Sequence, residues 1–190
     1  NIKIVAVSNG IKLHLIKKYK IDKNKITVIY PCIDFDKIDK LKTDDINFKK
    51  PTIRYLLSVG RLEKQKNHSL LIKAFYRIKH IQNINLIILG DGILKKKLIN
   101  LIKKMNLSDR VSIISKVENP YPYFFNSDLF VLSSLWEGFG LVLIESLACE
   151  LKIVSTNCPG SPNELLSKAV YQINREDFII EKIKKYFTIE

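Results

Sequence analysis

From Thr52 onward the chain repeats one pattern: a short apolar run rich in Ile, Leu and Val, then a longer amphipathic run. The apolar runs fall near 53–59, 85–89, 111–114, 129–133 and 152–155, and the amphipathic ones near 68–80, 93–105, 120–126 and 140–150. Short, nearly continuous apolar runs bounded by turn residues suit strands covered on both faces. Strands that alternate with helices are joined by right-handed crossovers, which stack the strands parallel and place helices on both sides. The pattern therefore predicts an α/β fold with a doubly wound parallel sheet. Ligands of such sheets bind outside the carboxyl ends of the strands, so the residues just after each apolar run are where chemistry is expected.

The first fifty residues read differently. Ile2 to Val7 forms an apolar run, and Asn1 is neither an initiator Met nor the start of a signal peptide. The chain is thus expected to begin inside a structure, as a fragment. Ser8-Asn9-Gly10 opens a helix with apolar positions Ile11, Leu15 and Ile16, running to about Tyr19, and Ile26 to Tyr30 is a short strand stopped by Pro31. Residues 31–50 are charged, weakly periodic and bounded by Pro31 and Pro51, and they read as a linker. A short strand near Ala169 to Tyr171 and a helix from Glu176 to Phe187 are expected to close the chain.

Composition excludes several classes. No segment approaches the roughly 18 uninterrupted apolar residues that a spanning helix needs. Cys32, Cys149 and Cys158 form no C-x-x-C pair and read as reduced thiols, and His14, His68 and His80 are scattered, so no metal site is expected. The net charge of +13 has two readings. One is lysine spread over solvated helix faces, as in Lys95-Lys96-Lys97 and Lys103-Lys104. The other is attraction to an anionic membrane face. No aromatic-interleaved basic motif or zinc-finger spacing points to nucleic acid.

The segment Leu135-Trp136-Glu137-Gly138-Phe139-Gly140-Leu141-Val142-Leu143-Ile144-Glu145 carries the most chemistry. It follows the apolar run ending at Leu132 and leads into a helical pattern, so it reads as strand, glycine-bearing turn and helix start. Glycines let a ligand approach the backbone, and the free N–H groups of a first helical turn favour an anion. A phosphate on that turn, with Glu137 and Glu145 left for hydroxyl groups, suits a sugar nucleotide. A glycosidase acid pair is not expected. Eight helical residues span ~12 Å, beyond the carboxyl spacings of about 5 to 9.5 Å used for glycoside hydrolysis.

Glu137 and Glu145, with seven residues between them and Gly-Phe-Gly after the first, resemble the E-x7-E motif of retaining, nucleotide-sugar-dependent glycosyltransferases of family 4. Three further stretches agree in order. Ser58-Val59-Gly60-Arg61-Leu62-Glu63-Lys64-Gln65-Lys66-Asn67 resembles that family's phosphate-clamp segment. Leu86-Ile87-Ile88-Leu89-Gly90-Asp91-Gly92 resembles its second strand and Gly-x-Gly turn. Asn157-Cys158-Pro159-Gly160-Ser161-Pro162-Asn163-Glu164 resembles its last loop, although Gly160 and Ser161 stand in the reverse of the common order. The resemblance covers roughly residues 1 to 175. It implies the C-terminal, Rossmann-like half of a two-domain GT-B fold. Residues 1–30 would be the tail of the N-terminal domain, 31–50 the interdomain linker, and 51–190 the donor-binding domain.

The resemblance also implies roles. Arg61 and Lys66 would neutralise the departing nucleoside diphosphate without an obligatory metal, Arg as a planar fork and Lys as a compact charge. Glu137 would accept hydrogen bonds from the donor sugar, and Glu145 from the ribose diol. Gly60, Gly138, Phe139, Gly140 and Leu141 would line the donor through backbone groups, and Lys116 and Val117 would lie in the nucleobase loop. Phe139's side chain could instead be plain packing. Asp91 reads as a helix N-cap, and Asp34-Phe35-Asp36, in the linker, as no metal site. The donor would be a UDP-, GDP- or ADP-linked sugar. The acceptor would be a glycan or lipid-linked molecule bound by the missing N-terminal domain, so the fragment alone is expected to be inactive. A place in bacterial surface-polysaccharide assembly, in the cytoplasm at the inner membrane face, follows from family and charge. The alternatives are a non-catalytic nucleotide-sugar binding module and a GT-B-like epimerase or phosphorylase.

Overall fold

The computed structural model describes residues 2–44, 54–81, 83–115, 117–160, 162–166, 171–173 and 179–180. Strand β1 (Ile4–Ala6), helix α1 (Asn9–Tyr19) and strand β2 (Ile26–Val28) come first, followed by α2 (Phe35–Leu41). The alternating region then runs β3 (Arg54–Val59), α3 (His68–Arg77), β4 (Ile84–Leu89), α4 (Lys95–Lys104), β5 (Val111–Ile114), α5 (Tyr121–Phe125) and β6 (Leu129–Leu132). It ends with α6 (Leu141–Ala148), β7 (Ile153–Thr156), α7 (Pro162–Leu165) and β8 (Tyr171–Ile173).

Strands β3 to β8 form one parallel sheet in the order β5-β4-β3-β6-β7-β8, while β1 and β2 pair by themselves, also in parallel. The order reverses between β3 and β6, where the loops leaving the two strands diverge to opposite faces. That switch point opens the crevice in which ligands of such sheets sit.

Side chains alternate across a strand, and the two faces of the sheet show it. Leu56, Leu86, Ile88, Leu129 and Val131 point to a core closed by α3 and α4. Tyr55, Leu57, Ile87, Leu89, Phe130 and Leu132 point to a second core closed by α2, α5 and α6. On α4, Leu98 and Ile102 face inward one turn apart while Lys96, Lys97, Lys103 and Lys104 stay exposed. These four lysines form a solvated helix face.

Two expectations change. The segment 31–50 contains a helix: Asp34 Oδ1 accepts from the Lys37 amide at 2.9 Å as the N-cap of α2, and Ile38 is buried in the second core. Its periodicity was weak because only one turn of the helix meets the sheet, leaving Phe35 exposed. Asp91 is not an N-cap. Its Oδ1 accepts from the adjacent Gly92 amide at 2.8 Å, and α4 starts later, at Lys95, because Leu94 first bonds back to Leu62. The closing helix of 176–187 lies outside the described residues except Ile179 and Ile180, which are buried in the first core, and Ala169 and Val170 lie outside them too.

Candidate active site

The switch point gathers polar groups that an apolar sheet does not need. Four residues buried at the strand ends, Ser133, Ser134, Glu137 and Thr156, surround the loop that follows β6. Lys66, carried across the crevice by the β3–α3 loop, donates its ammonium to Glu137 Oε1 at 2.6 Å, and the Ser134 hydroxyl donates to the same oxygen at 2.5 Å. Both ionic side chains are largely buried, at 14% and 5% exposed. A buried carboxylate is tolerable only when paired and hydrogen-bonded, and both conditions are met here. The Ser133 hydroxyl donates to Lys66 O at 2.8 Å and the Thr156 hydroxyl to Ser134 O at 2.6 Å, so β6, β7 and the β3–α3 loop are stitched into one floor.

Two glycines make this approach possible. A Cβ on Gly60 would lie 2.9 Å from Lys66 Cε, so Gly60 is the gap through which the lysine stem passes. Gly160, at φ +123°, lies flat against the Glu137 carbonyl, where a Cβ would overlap the oxygen, and the Glu137 amide donates to Pro159 O at 2.9 Å. The Glu137 backbone is thus clamped by the loop after β7.

The remaining expected residues divide. Arg61 stands at the mouth, 68% exposed, with its guanidinium near Glu63 at 3.3 Å and Gln65 at 3.4 Å. Gly138 has no protein atom within 4 Å of a would-be Cβ, so its surface is open. Gly140 takes the left-handed conformation at φ +75° that turns the chain into α6, and Leu141, the first helical residue, is exposed. Phe139 is buried with its ring 5.7 Å from that of Tyr30, which makes its side chain packing. Val117 packs against the second core, and Lys116 lies outside the described residues.

Glu145 is half-buried about one turn into α6, where burial pushes its carboxyl above the usual range while a hydrogen bond with Tyr121 opposes the shift. Tyr121, half-buried on α5, is raised in turn by its own burial and by the Glu145 charge. Sequence reasoning missed Ser134 and Tyr121. Ser134 was legible as a polar residue directly after an apolar run, at the carboxyl end where function is sought. Nothing in the spacing of Tyr121 announced Glu145.

Histidine 68 starts α3 behind Lys66. It is buried, its Nδ1 has no hydrogen-bond partner among the described residues, and burial followed by the Lys66 charge pulls its pKa down to about 4. It belongs to the packing beneath the crevice, bordering a groove of about 370 Å³ between α3, α4 and Leu135.

The arrangement offers an exposed guanidinium, a carboxylate braced by an ammonium, an open glycine turn at a helix start and a second carboxylate about one turn into that helix. Such a set has the chemistry to take an anion flanked by hydroxyl-bearing groups. Comparisons with known proteins give the family. The family described as Glycosyl transferases group 1 matches residues 39–188. The chain is 36% identical over 185 residues to the N-acetylgalactosamine-N,N'-diacetylbacillosaminyl-diphospho-undecaprenol 4-alpha-N-acetylgalactosaminyltransferase of Campylobacter jejuni, covering 95% of this chain and 49% of that protein. It is 29% identical over 203 residues to a capsular polysaccharide biosynthesis glycosyltransferase of Staphylococcus aureus, covering 98% and 52%. The crystal structure of an Anabaena protein with UDP and glucose superposes at a TM-score of 0.82 with 20% identity, over 96% of this chain and 53% of that one. The chain therefore spans about half the length of the curated relatives it matches.

Proposed function

The chain belongs to the group 1 glycosyl transferases, and from that premise we propose that it is the donor-binding portion of a retaining, metal-independent glycosyltransferase of the family 4 type. The observation that carries this reading is the Lys66–Glu137–Ser134 cluster at the switch point of the sheet, beside the open turn at Gly138. The donor is a nucleoside diphosphate sugar, and UDP is the first nucleotide to test because a structural neighbour holds it. Its diphosphate lies between Arg61 and Lys66 on the α6 start, its ribose diol on Glu145, and its sugar against Glu137.

Bond cleavage sends negative charge onto the diphosphate, and Arg61 and Lys66 are fixed where that charge develops. Preorganised groups of this kind are commonly worth about 3 to 4 kcal/mol each. Lys66 and Ser134 both occupy Oε1 of Glu137. Oε2 then accepts from the donor sugar, and the carboxylate stabilises the charge growing at the anomeric carbon. Glu137 Oε1 is already engaged by Lys66 and Ser134, which favours departure and attack on one face, the leaving phosphate helping to deprotonate the acceptor. Residues 1–30 then belong to the N-terminal domain, with 31–50 as the interdomain linker that includes α2. The acceptor is a glycan or lipid-linked molecule bound by that domain, in keeping with the diphospho-undecaprenol in one relative's name. Surface-polysaccharide assembly at the inner membrane face suits this acceptor and the basic charge of +13.

Calorimetry with UDP, GDP and ADP tests the donor site, and Arg61→Ala is the cleaner probe of the clamp. Arg61 is exposed, so its loss leaves the fold intact, whereas Lys66→Ala strands a buried carboxylate. A charge-assisted hydrogen bond is worth about 1.5 to 3 kcal/mol. Arg61→Ala is expected to weaken the diphosphate about tenfold or more and leave the nucleoside unchanged. Equal losses for both ligands, or no binding of any diphosphate at millimolar concentration, would sink the assignment.

A further inference from the structure

Helix α1, like any helix, begins with backbone donors that need acceptors. Its first turn contains no acidic residue, yet the four N–H groups at a helix start must find acceptors. Ser8 serves as N-cap, its hydroxyl oxygen accepting from Ile11 N at 3.1 Å. The two amides before that are served from the far end of the chain. Glu164 Oε1 accepts from Gly10 N at 2.6 Å, and Oε2 accepts from Asn9 N at 3.1 Å and Asn9 Nδ2 at 3.3 Å. The Tyr30 hydroxyl donates to the same Oε2 at 3.0 Å. One carboxylate thus takes four donors and places a negative charge on the positive end of the α1 dipole, a favourable arrangement. Glu164 lies in the first turn of α7, yet the amides it serves are those of α1.

The same corner reaches the crevice by three contacts, one a side-chain hydrogen bond, one backbone on backbone and one ring on ring. The Ser8 hydroxyl donates to Gly138 O at 2.9 Å. A Cβ on Gly10 would lie 2.8 Å from Gly160 O, and Gly160 in turn lies against the carbonyl of Glu137. Tyr30, held by Glu164, packs on Phe139. The start of α1 and Glu137–Phe139 are thus joined by direct contacts.

We propose that Glu164 is a positioning residue: its carboxylate latches the start of α1 onto the 137–139 turn, so that occupancy of the donor crevice is transmitted to the β1–α1–β2 segment. This rests on reading the crevice as the donor site for its second half only. The latch itself is independent of any ligand.

Hydrogen exchange on the full chain tests both halves. Without nucleotide, Glu164→Ala is expected to speed exchange of the Asn9 and Gly10 amides at least tenfold and to leave Leu56 and Leu57 in β3 unchanged. Glu164→Gln, which keeps one acceptor oxygen, recovers part of the protection. Gly10→Ala, which wedges α1 off Gly160 while leaving the carboxylate in place, also loosens both amides. Unaltered exchange at Asn9 and Gly10 in Glu164→Ala overturns the latch. Adding UDP then tests transmission. The wild type is expected to slow exchange across residues 9–16 on binding, while Glu164→Ala binds UDP within threefold of wild-type affinity and shows no such slowing. Binding by the wild type with no change in α1, or the same slowing in Glu164→Ala, overturns transmission. If the wild type binds no UDP, the donor assignment and transmission fail together, and the nucleotide-free comparison still decides the latch.

Discussion

Strands β1 and β3 are built from the same kinds of residue and end in opposite states. Tyr55, Leu56 and Leu57 of β3 are essentially inaccessible, whereas Val5 of β1 is 59% exposed and Leu13 on the neighbouring α1 is 52% exposed. The six-stranded sheet has helices on both faces and strands on both sides of β3, so its apolar residues are enclosed in every direction. The β1–α1–β2 segment is two strands and one helix with no residue of α1 buried. Three residues cannot bury a strand face without a second layer. What holds this segment to the rest is polar and backbone contact at the Ser8–Gly10 corner. One region is held by enclosure and the other by a few directional bonds.

The sharpest way to break this contrast is to truncate an apolar residue in each region and measure urea midpoints. Phe130 is inaccessible, with its ring 5.6 Å from that of Phe124, and Phe130→Ala is expected to cost about 3 to 5 kcal/mol. Leu13→Ala is expected to stay within about 0.5 kcal/mol. Comparable losses would show that the α1 segment has a core of its own.

A pH series sharpens the same contrast. His68 lies inside the larger region with its pKa pulled to about 4 from 6.5, so the unfolded chain binds the extra proton between those values. Stability contributed by neutral His68 is complete above about pH 6.5 and is lost as pH falls toward 4, an effect of about 3 kcal/mol. His68→Gln should flatten the stability curve in that window. His14→Gln, a surface change on α1, is the control substitution. A curve that His68→Gln leaves unchanged contradicts the buried, unpartnered imidazole.

The smallest effect concerns Glu145. Burial raises its pKa above 4.5, so the folded state holds its proton longer than the unfolded one. Its ionisation opposes folding more as pH rises through the folded value. Glu145→Gln is therefore expected to raise Tm by about 1 to 2 °C at pH 8 and by less at pH 4, while weakening UDP. A residue that costs stability and holds the ligand is placed for binding. A fall in Tm at pH 8 would instead make Glu145 a structural partner of Tyr121.

Much of the larger region was legible in the residues alone. Runs such as Leu86-Ile87-Ile88-Leu89 are too apolar to sit anywhere except between two layers, and their alternation with helices allowed few arrangements. The site was half legible. Glu137, Lys66 and Gly60 follow apolar runs, where a parallel sheet collects its ligands. Helix α2 was not legible, since a single buried Ile38 gives no period to read. Ser134 was overlooked, and Tyr121 had no local signature, because its partner is on another helix.

Helix α2 apart, the sequence by itself determined which described segments are strands, which are helices and which loops carry charge. Those follow from local periodicity and turn chemistry, which act over a few residues. Only the tertiary structure decided that Lys66 meets Glu137, that Gly60 and Gly160 are gaps for a lysine stem and a carbonyl, and that Glu164 serves the start of α1. The Lys66–Glu137 and Glu164–Asn9 pairings join positions 71 and 155 residues apart. They exist because the sheet order brings the carboxyl ends of β3, β6 and β7 to one edge. Long-range geometry of that kind is set by how the layers close, and no window of sequence contains it.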